Sequence, residues 1–210
     1  MRKLGCAAQK RGFACAVNHF KNFDTLKTMA YILASASPRR KELFSLIVPE
    51  FEVIPSESEE KFNMSLFPEQ VACSVAEGKC DAVFANHPDS VVVACDTIVV
   101  FEGEILGKPK DREDAASTLR RLSGKTHYVI SGVCVRSKYN KKIEYERTEV
   151  RFNALSDDFI KIYVDGGSPL DKAGSYGIQD GGLVKEYFGS YTNVVGLPVS
   201  LVKKMLEEVL

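Results

Sequence analysis

The chain has no excess of charge and no long apolar run, and each absence argues against a class of function. Lys and Arg together number 28, as do Asp and Glu. No overall field therefore attracts the protein to nucleic acid or to an acidic membrane, and any anion site must be a local cluster. No apolar run approaches the ~20 residues of a membrane-spanning helix, which predicts a soluble protein with no membrane partner.

Histidine is scarce, and the cysteines are not arranged in pairs. With only His19, His87 and His127, a Ser-His-Asp hydrolase or a zinc site based on histidine is hard to build, and we interpret His127 as structural. The six cysteines show no close-set pairs of the metal-binding kind, and several lie in apolar runs. This pattern favours free core thiols in a reducing compartment, and we predict a cytoplasmic location.

The rest of the composition is that of an ordinary folded domain with a basic N-terminal extension. A length of 210 residues and 45% apolar content suit one large α/β domain or two small lobes. Residues 1–29 differ, because they hold six Lys or Arg against the single acid Asp24. They are either a weak organelle-targeting sequence or an extension preceding a start at Met29. We predict an extension over 1–29 and a single domain over 30–210.

The stretch YILASASPRRKELF, residues 31–44, predicts a strand running into a helix. Ser37 suits the helix N-cap and Pro38 the first helical position. Arg39 and Arg40 then add positive charge to a first turn that is already positive, which is unfavourable unless an anion joins them. Together with the hydroxyls of Ser35 and Ser37, they supply the positive charge and hydrogen-bond donors of a phosphate-binding site. Alternatively, the arginines extend into solvent or pair with carboxylates elsewhere.

The least expected residue is Asp96, within SVVVACDTIVV. The apolar residues on both sides of it predict a central strand that is buried on both faces. A buried carboxylate is costly unless it meets a cation, a metal or hydrogen-bond donors. Asp96 is therefore a candidate for chemistry, the alternative being a structural aspartate that caps a helix or pairs with an arginine.

Two lysines are further candidates. A helix predicted over 68–84 carries Lys79 on the same stripe as Ala76 and Val83, although a lysine there can also extend to the surface. Lys108 follows a predicted hairpin turn at Gly103 and is therefore near the Asp96 strand, unless it is a solvated loop residue.

The remaining pattern completes an α/β protein. We expect strands over 126–135 and 142–153, helices after the caps Asp111 and Ser156, and a strand at Tyr191 that turns at Gly196 into a terminal helix near Pro198. The first helix should bury Leu43, Phe44, Leu46 and Ile47. The glycine-rich segment 168–182 resembles a ligand-wrapping loop and carries Asp171, Lys172 and Gln179.

Six blocks in order, SASPRRKELF, CDTIVV, GKPKD, LSGKTH, DKAGSYGIQ and NVVGLP, resemble the Maf-like nucleoside triphosphate pyrophosphatases within the wider Maf/Ham1-like group. The resemblance implies a central mixed, twisted sheet flanked by helices, elongated into two lobes with a cleft. It implies hydrolysis of dTTP, UTP and related or modified pyrimidine nucleotides to the monophosphate and pyrophosphate, which would clear the nucleotide pool. A divalent cation, Mg²⁺ or Mn²⁺, and possible homodimers also come with it.

The resemblance assigns roles residue by residue. Asp96 would be the general base, a metal ligand or both, and the metal ligand in the acidic loop would be Glu60, with Glu59 as the alternative. Lys79 and Lys108 would be phosphate contacts, in addition to Ser35, Ser37, Arg39 and Arg40, which the residues themselves indicate. The residues that set base specificity would be Arg39, Thr97 and Gln179. The chain departs from the family pattern at Asp180, where a small residue is usual, and in a shorter following segment.

Two other functions stay open. A sister subgroup of the family acts on 7-methyl-GTP, so a pyrophosphatase for a modified purine is one alternative. The other is a nucleotide-binding regulator of septum formation or cell division without enzymatic activity, as the family's early naming suggests.

Overall fold

The fold is organised around one mixed sheet, seen here in a computed structural model that describes residues 29–57, 63 and 65–210. Most of the predicted extension, and both Glu59 and Glu60, lie outside the described residues. The described strands are β1 (Tyr31–Leu33), β2 (Glu52–Val53), β3 (Val91–Phe101), β4 (Glu104–Leu106), β5 (Thr126–Arg136), β6 (Lys141–Phe152) and β7 (Val184–Phe188).

The sheet order is β2-β1-β3-β5-β6-β7, and β4 also pairs with β3. β1 runs parallel to β2 and to β3, whereas the pairs β3–β4, β3–β5, β5–β6 and β6–β7 are antiparallel. The predicted mixed α/β fold with a central sheet is confirmed.

Helices cover both faces of this sheet. The described helices are α1 (Pro38–Ser45), α2 (Pro68–Phe84), α3 (Arg112–Leu122), α4 (Asp157–Asp165), α5 (Tyr191–Val195) and α6 (Val199–Val209), and three short 3₁₀ turns occupy Ser168–Asp171, Ala173–Ser175 and Ile178–Asp180. Among the described residues, no helix combines the length and apolar character needed to cross a membrane.

Strand β3 is buried on both faces, as its sequence predicts. Its side chains alternate between the faces, so Val92 and Ala94 pack with α2 residues such as Ala76,. Val93 and Cys95 join the core that includes Phe44 of α1 and Met205 of α6. Further along the same face, Val99 and Phe101 belong to a separate core with α3 and α4. Thr97 lies between these two cores.

One edge of β3 explains where a site can open. β1 pairs with β3 only as far as Val93, and β4 begins its pairing at Val99. Between these two points the edge has no partner strand among the described residues. Asp96 and Thr97 lie in this gap, so side chains from either face of β3 can reach one opening.

Two local predictions were wrong. The segment Tyr191–Val195 is the helix α5 and not a strand, and the strand of this region is β7, which precedes it. Ser190 caps α5 by accepting a hydrogen bond from the Asn193 backbone N–H at 3.2 Å. The Asn193 amide also donates to the Val129 carbonyl oxygen of β5 at 3.1 Å. Leu46, expected in the core, is 66% exposed because α1 ends at Ser45.

Candidate active site

A cavity of about 620 Å³ opens at the gap in β3. Its volume lies in the range of small-molecule sites. Every predicted site residue that the structure describes lines it, namely Ser35, Ser37, Arg39, Arg40, Lys79, Asp96, Thr97, Lys108 and Gln179. Residues up to 144 positions apart are thereby brought together, whereas Glu60 lies outside the described residues. The catalytic, binding and metal roles assigned to these residues stay predictions.

Asp96 and Lys79 form a buried ion pair at the base of the cavity. The Lys79 Nζ atom donates to Asp96 Oδ1 at 2.7 Å, and the side chains are 13% and 8% exposed, respectively. Each charge offsets the cost of burying the other, which explains how β3 tolerates a carboxylate. The pair fixes the orientation of the Asp96 carboxylate. Lys79 thus faces inward, as its place on the apolar stripe predicts.

The first turn of α1 presents its backbone N–H groups at the cavity. Ser37 is the N-cap and accepts from the Arg40 backbone N–H at 3.4 Å, as predicted. Ser35 in turn accepts from the Ser37 backbone N–H at 3.3 Å. The first turn holds no acidic residue, so its positive end is available to an anion.

Arg40 is built into the protein framework. Its Nε donates to the Gly196 carbonyl oxygen at 2.8 Å, and its Nη2 donates to Thr97 Oγ1 at 3.1 Å. Its Nη1 lies 3.4 Å from the acceptor Ser35 Oγ. A single guanidinium therefore ties α1 to β3 and to the turn between α5 and α6. These contacts locate Arg40 beneath the predicted phosphate site, at the cavity wall.

Arg39, its neighbour, reaches across the cavity. Its Nη1 donates to Asp171 Oδ2 at 2.8 Å, and Lys172 Nζ donates to Asp171 Oδ1 at 2.8 Å. Burial alone would raise the pKa of Asp171, but the hydrogen bonds from Lys172 and Arg39 lower it to about 2. The sequence predicts a ligand-wrapping loop that contains Asp171 and Lys172, but it assigns neither residue a role. The structure makes them the partners that orient Arg39.

Thr97 belongs to a polar group under the cavity. Its Oγ1 lies 2.8 Å from Ser131 Oγ and donates to the Gly196 carbonyl oxygen at 3.2 Å. Sequence reasoning missed Ser131, although a serine within an apolar strand was an available signal. The structure buries this serine completely. It lies directly opposite Thr97 in the β3–β5 register, the arrangement in which hydroxyl pairs form across strands.

Two predicted residues lie at the cavity rim. Lys108 follows β4 and is exposed, and Gln179 is exposed on the 3₁₀ turn Ile178–Asp180. His127 lies deeper, where its Nε2 is 2.7 Å from the Tyr176 hydroxyl. Burial lowers the pKa of His127 to about 4. Its burial among Phe152 and Tyr176 agrees with a structural interpretation.

For a divalent cation, the described residues offer the carboxylate of Asp96 at the base of the cavity. Among the residues that the structure describes, no group of three or more His, Cys, Asp or Glu is placed to hold a metal ion. Mg²⁺ in nucleotide enzymes is typically bound through one or two carboxylates plus substrate phosphates and water. Asp96 supplies such a carboxylate at the cavity. The donor set therefore fits a cation shared with a phosphate ligand.

Comparisons with known proteins place the chain in a family. The family model described as Maf-like protein matches residues 30–209. The dTTP/UTP pyrophosphatase of Bacillus velezensis is 48% identical over 183 residues, covering 86% of this chain and 97% of the relative. That of Bacillus pumilus is 46% identical over 178 residues, covering 84% and 94%, respectively.

The fold is also found in a solved structure. The Ham1 protein of Staphylococcus aureus matches with a TM-score of 0.51 at 16% identity, covering 85% of this chain and 98% of that chain. At this identity the likeness concerns the fold alone. The family match spans the sheet, the cavity and the loop that bears Gln179. The chain therefore belongs to the Maf-like protein family.

Proposed function

We propose that this protein is a nucleoside triphosphate pyrophosphatase that hydrolyses dTTP, UTP and related pyrimidine nucleotides to the monophosphate and pyrophosphate. The observation that carries the proposal is the cavity that joins the Asp96 carboxylate to a cluster of cations. Relatives named dTTP/UTP pyrophosphatase, 46–48% identical over most of the chain, support the substrate class. Removal of surplus or modified pyrimidine nucleotides is the role that follows.

The triphosphate would lie along the positive side of the cavity. The N-terminus of α1 and the Arg39 guanidinium offer donors to phosphate oxygens, and Lys108 faces them from the rim. Lys79, which is paired with Asp96, would stand beside the reacting centre. These groups offset the negative charge that develops on the leaving pyrophosphate, which is how most phosphoryl-transfer enzymes gain their rate.

Asp96 would act as general base. Its carboxylate accepts a proton from a water molecule whose oxygen attacks the α-phosphorus. The new P–O bond forms as the bond between the α-phosphorus and the bridging oxygen breaks, and pyrophosphate leaves with the bridging oxygen. Asp96 and Glu60 are the residues that would hold Mg²⁺ or Mn²⁺ jointly with the phosphates. When bound, the cation would supply charge neutralisation at the phosphate oxygens.

The pyrimidine base would be read by Arg39, Thr97 and Gln179. A glutamine amide both donates and accepts hydrogen bonds, which matches the carbonyl oxygens and N3–H of uracil and thymine. Arg39 is held toward the opposite wall by Asp171. Thr97 is fixed by Ser131 and the Gly196 carbonyl.

A cytoplasmic location and a homodimer without nucleic-acid partners belong to the same proposal. The location is supported by the four described cysteines, Cys73, Cys80, Cys95 and Cys134, which are all free thiols. Such thiols persist in a reducing compartment.

The test is pyrophosphate release from dTTP, UTP, CTP, GTP and 7-methyl-GTP with Mg²⁺ or Mn²⁺. We expect the pyrimidine triphosphates dTTP and UTP to be preferred. Asp96→Asn should lower kcat by about 10²- to 10⁴-fold, the range for loss of a general base. Asp158→Asn, which changes an exposed carboxylate on α4, is the matched control and should keep wild-type turnover.

Other outcomes would redirect the assignment. Turnover that survives in a folded Asp96→Asn protein would remove Asp96 as the base. Preference for 7-methyl-GTP would favour the sister activity, and metal-dependent dTTP binding without turnover would favour a regulator. Thermal melting of each variant separates loss of chemistry from loss of folding.

A further inference from the structure

The turn that carries Gln179 has little regular structure to hold it. Ile178–Asp180 is a single 3₁₀ turn, and it is followed by Gly181 and Gly182, both with φ of +74°. Two consecutive glycines in the left-handed region allow the chain many alternative paths. A side chain that is expected to recognise a base needs a fixed position, so the turn requires an anchor outside its own backbone.

Asp180 provides that anchor. Its Oδ2 accepts hydrogen bonds from the Tyr163 hydroxyl of α4 at 2.5 Å and from Ser168 Oγ at 2.7 Å. The Tyr163 hydroxyl also accepts from the Gly177 backbone N–H at 3.1 Å. Burial and the hydrogen bond to Asp180 raise the pKa of Tyr163, so the phenol keeps the proton that it donates. The turn is therefore fastened to α4 on both sides of Gln179.

Gly177 shows how closely the anchor and the amide are packed. A Cβ atom at this position would lie 2.9 Å from Asp180 Oδ2 and 3.1 Å from Gln179 Nε2. The Asp180 carboxylate and the Gln179 amide thus rest against the same glycine. A shift of Asp180 would open space on the side of Gly177 where the amide lies, and the amide would lose its defined position.

We propose that Asp180 is a specificity-determining positioning residue, which acts through Tyr163 and Ser168 to hold the Gln179 amide where a pyrimidine base is read. The inference deepens the proposed function and rests on it. It also gives a role to the position at which this chain departs from the family pattern. A carboxylate that accepts two hydroxyl donors forms short, charge-assisted hydrogen bonds. Such bonds can hold a loop segment that has little apolar packing of its own.

A purely structural role for Asp180 would have a different signature. It would lower stability and reduce turnover of every triphosphate alike. A positioning role changes the selectivity, defined as kcat/KM for UTP divided by kcat/KM for GTP, and does so only while Gln179 is present. The two roles are therefore separable by a double-mutant cycle.

The experiment compares wild type, Asp180→Ala, Gln179→Ala and the double variant. We expect Asp180→Ala to lower the selectivity about tenfold, which corresponds to one weakened hydrogen bond to the base. In the Gln179→Ala background, Asp180→Ala should lower the selectivity by less than twofold. Asp180→Asn keeps an oxygen that accepts both hydroxyl donors, so it should restore most of the selectivity.

Two more variants complete the design. Tyr163→Phe removes one donor to Asp180 and should lower the selectivity severalfold, which keeps the inference testable if Asp180→Ala does not fold. Asp158→Ala, on the exposed surface of α4, is the matched control. Unchanged selectivity in Asp180→Ala and Tyr163→Phe, or equal losses with and without Gln179, would overturn the inference and leave the proposed function standing. A wild-type protein without pyrimidine turnover or preference would overturn both.

Discussion

The two walls of the cavity are stabilised in different ways. The sheet wall consists of Ser35, Arg40, Lys79, Asp96 and Thr97, and its side chains are half-buried or buried and bonded to one another or to the Gly196 carbonyl. The loop wall consists of Lys108, Asp171, Lys172 and Gln179, and the hydrogen bonds and ion pairs of this segment, including those of the neighbouring Asp180, are exposed. Arg39 joins the two walls.

This difference divides the expected functions between the walls. The proposed chemistry lies on the sheet wall, where packing leaves a carboxylate and a lysine little freedom. The part of the proposed base recognition that Gln179 carries lies on the loop wall, where small changes of hydrogen bonding alter a position without disturbing the core, whereas Thr97 belongs to the sheet wall. Changes to the sheet wall should therefore cost stability as well as activity, whereas changes to the loop wall should alter selectivity and affinity.

The largest expected effect concerns Gly132, which supports the sheet wall from β5. A Cβ atom there would lie 2.3 Å from the Ala72 backbone carbon and 2.4 Å from the Cys73 backbone nitrogen of α2. Gly132→Ala should lower the free energy of unfolding by about 3 kcal/mol or more, because backbone cannot move aside as a flexible side chain can. It should also displace Lys79, which lies on the same helix.

Denaturant unfolding checks this prediction, with Gly78→Ala as the control. Gly78 lies within α2, and a Cβ atom there would meet no atom within 4 Å. The control should be more stable than wild type by roughly 0.5 to 1 kcal/mol, because alanine favours a helix interior. A Gly132→Ala protein as stable as the control would mean that α2 does not depend on its close approach to β5.

The next prediction concerns His127, which lies where the loop wall meets the sheet. The pKa of His127 is lowered by burial to about 4 in the folded protein, whereas an unfolded histidine titrates near 6.5. As the pH falls, the unfolded state binds the proton first, so the free energy of unfolding should decrease between about pH 6.5 and pH 4. Above about pH 6.5 the contribution of His127 to stability is fully present. The loss should amount to about 3 kcal/mol.

Denaturant unfolding across this pH range measures the slope, and His127→Gln should remove it. The lowered pKa of Asp171, about 2, acts in a separate window. Its contribution is present above the ordinary pKa near 3.9 and is lost only below it. A slope between pH 6.5 and 4 that persists in His127→Gln would assign the effect to another group.

Local signals in the sequence predicted most of the helices and strands and singled out part of the candidate site, whereas the roles of Thr97 and Gln179 were indicated only by the family resemblance. Ser37 as an N-cap and the hairpin turn at Gly103 were readable because each depends on neighbouring residues. Asp96 was readable because a carboxylate in an apolar strand is costly. The helix α5 was misread because its two valines and threonine favour strands, while the Ser190 cap and the contacts of Asn193 with distant strands determine the conformation.

The division of work between two adjacent arginines was beyond sequence reasoning. Arg39 and Arg40 occupy the same turn with the same chemistry, and the sequence offered both to phosphate. Their partners are set by the fold, since the Gly196 carbonyl is 156 residues from Arg40 and Asp171 is 132 residues from Arg39. Such pairings depend on the whole topology. They carry no local signature.

The smallest effects compare these two arginines directly. Arg40→Lys should cost about 2 kcal/mol of unfolding free energy, because a single ammonium cannot reproduce a planar guanidinium that donates in three directions to Gly196, Thr97 and Ser35. Arg39→Lys should cost less than about 1 kcal/mol, because a surface ion pair is weak and a lysine can still meet Asp171. Denaturant unfolding measures both variants against wild type.

Salt makes the comparison sharper, because it acts on only one of the two contacts. The side chains of Arg39 and Asp171 are 29% and 61% exposed, so their attraction is screened when the Debye length falls to about 3 Å at 1 M salt. The small cost of Arg39→Lys should then vanish, while the cost of Arg40→Lys should persist, since hydrogen bonds to a carbonyl and two hydroxyls are short-ranged. Equal costs at low salt, or an Arg40→Lys cost that disappears at 1 M salt, would show that both arginines act as surface charges. The distinction between a rigid sheet wall and an adjustable loop wall would then fail at the residue pair where the two walls meet.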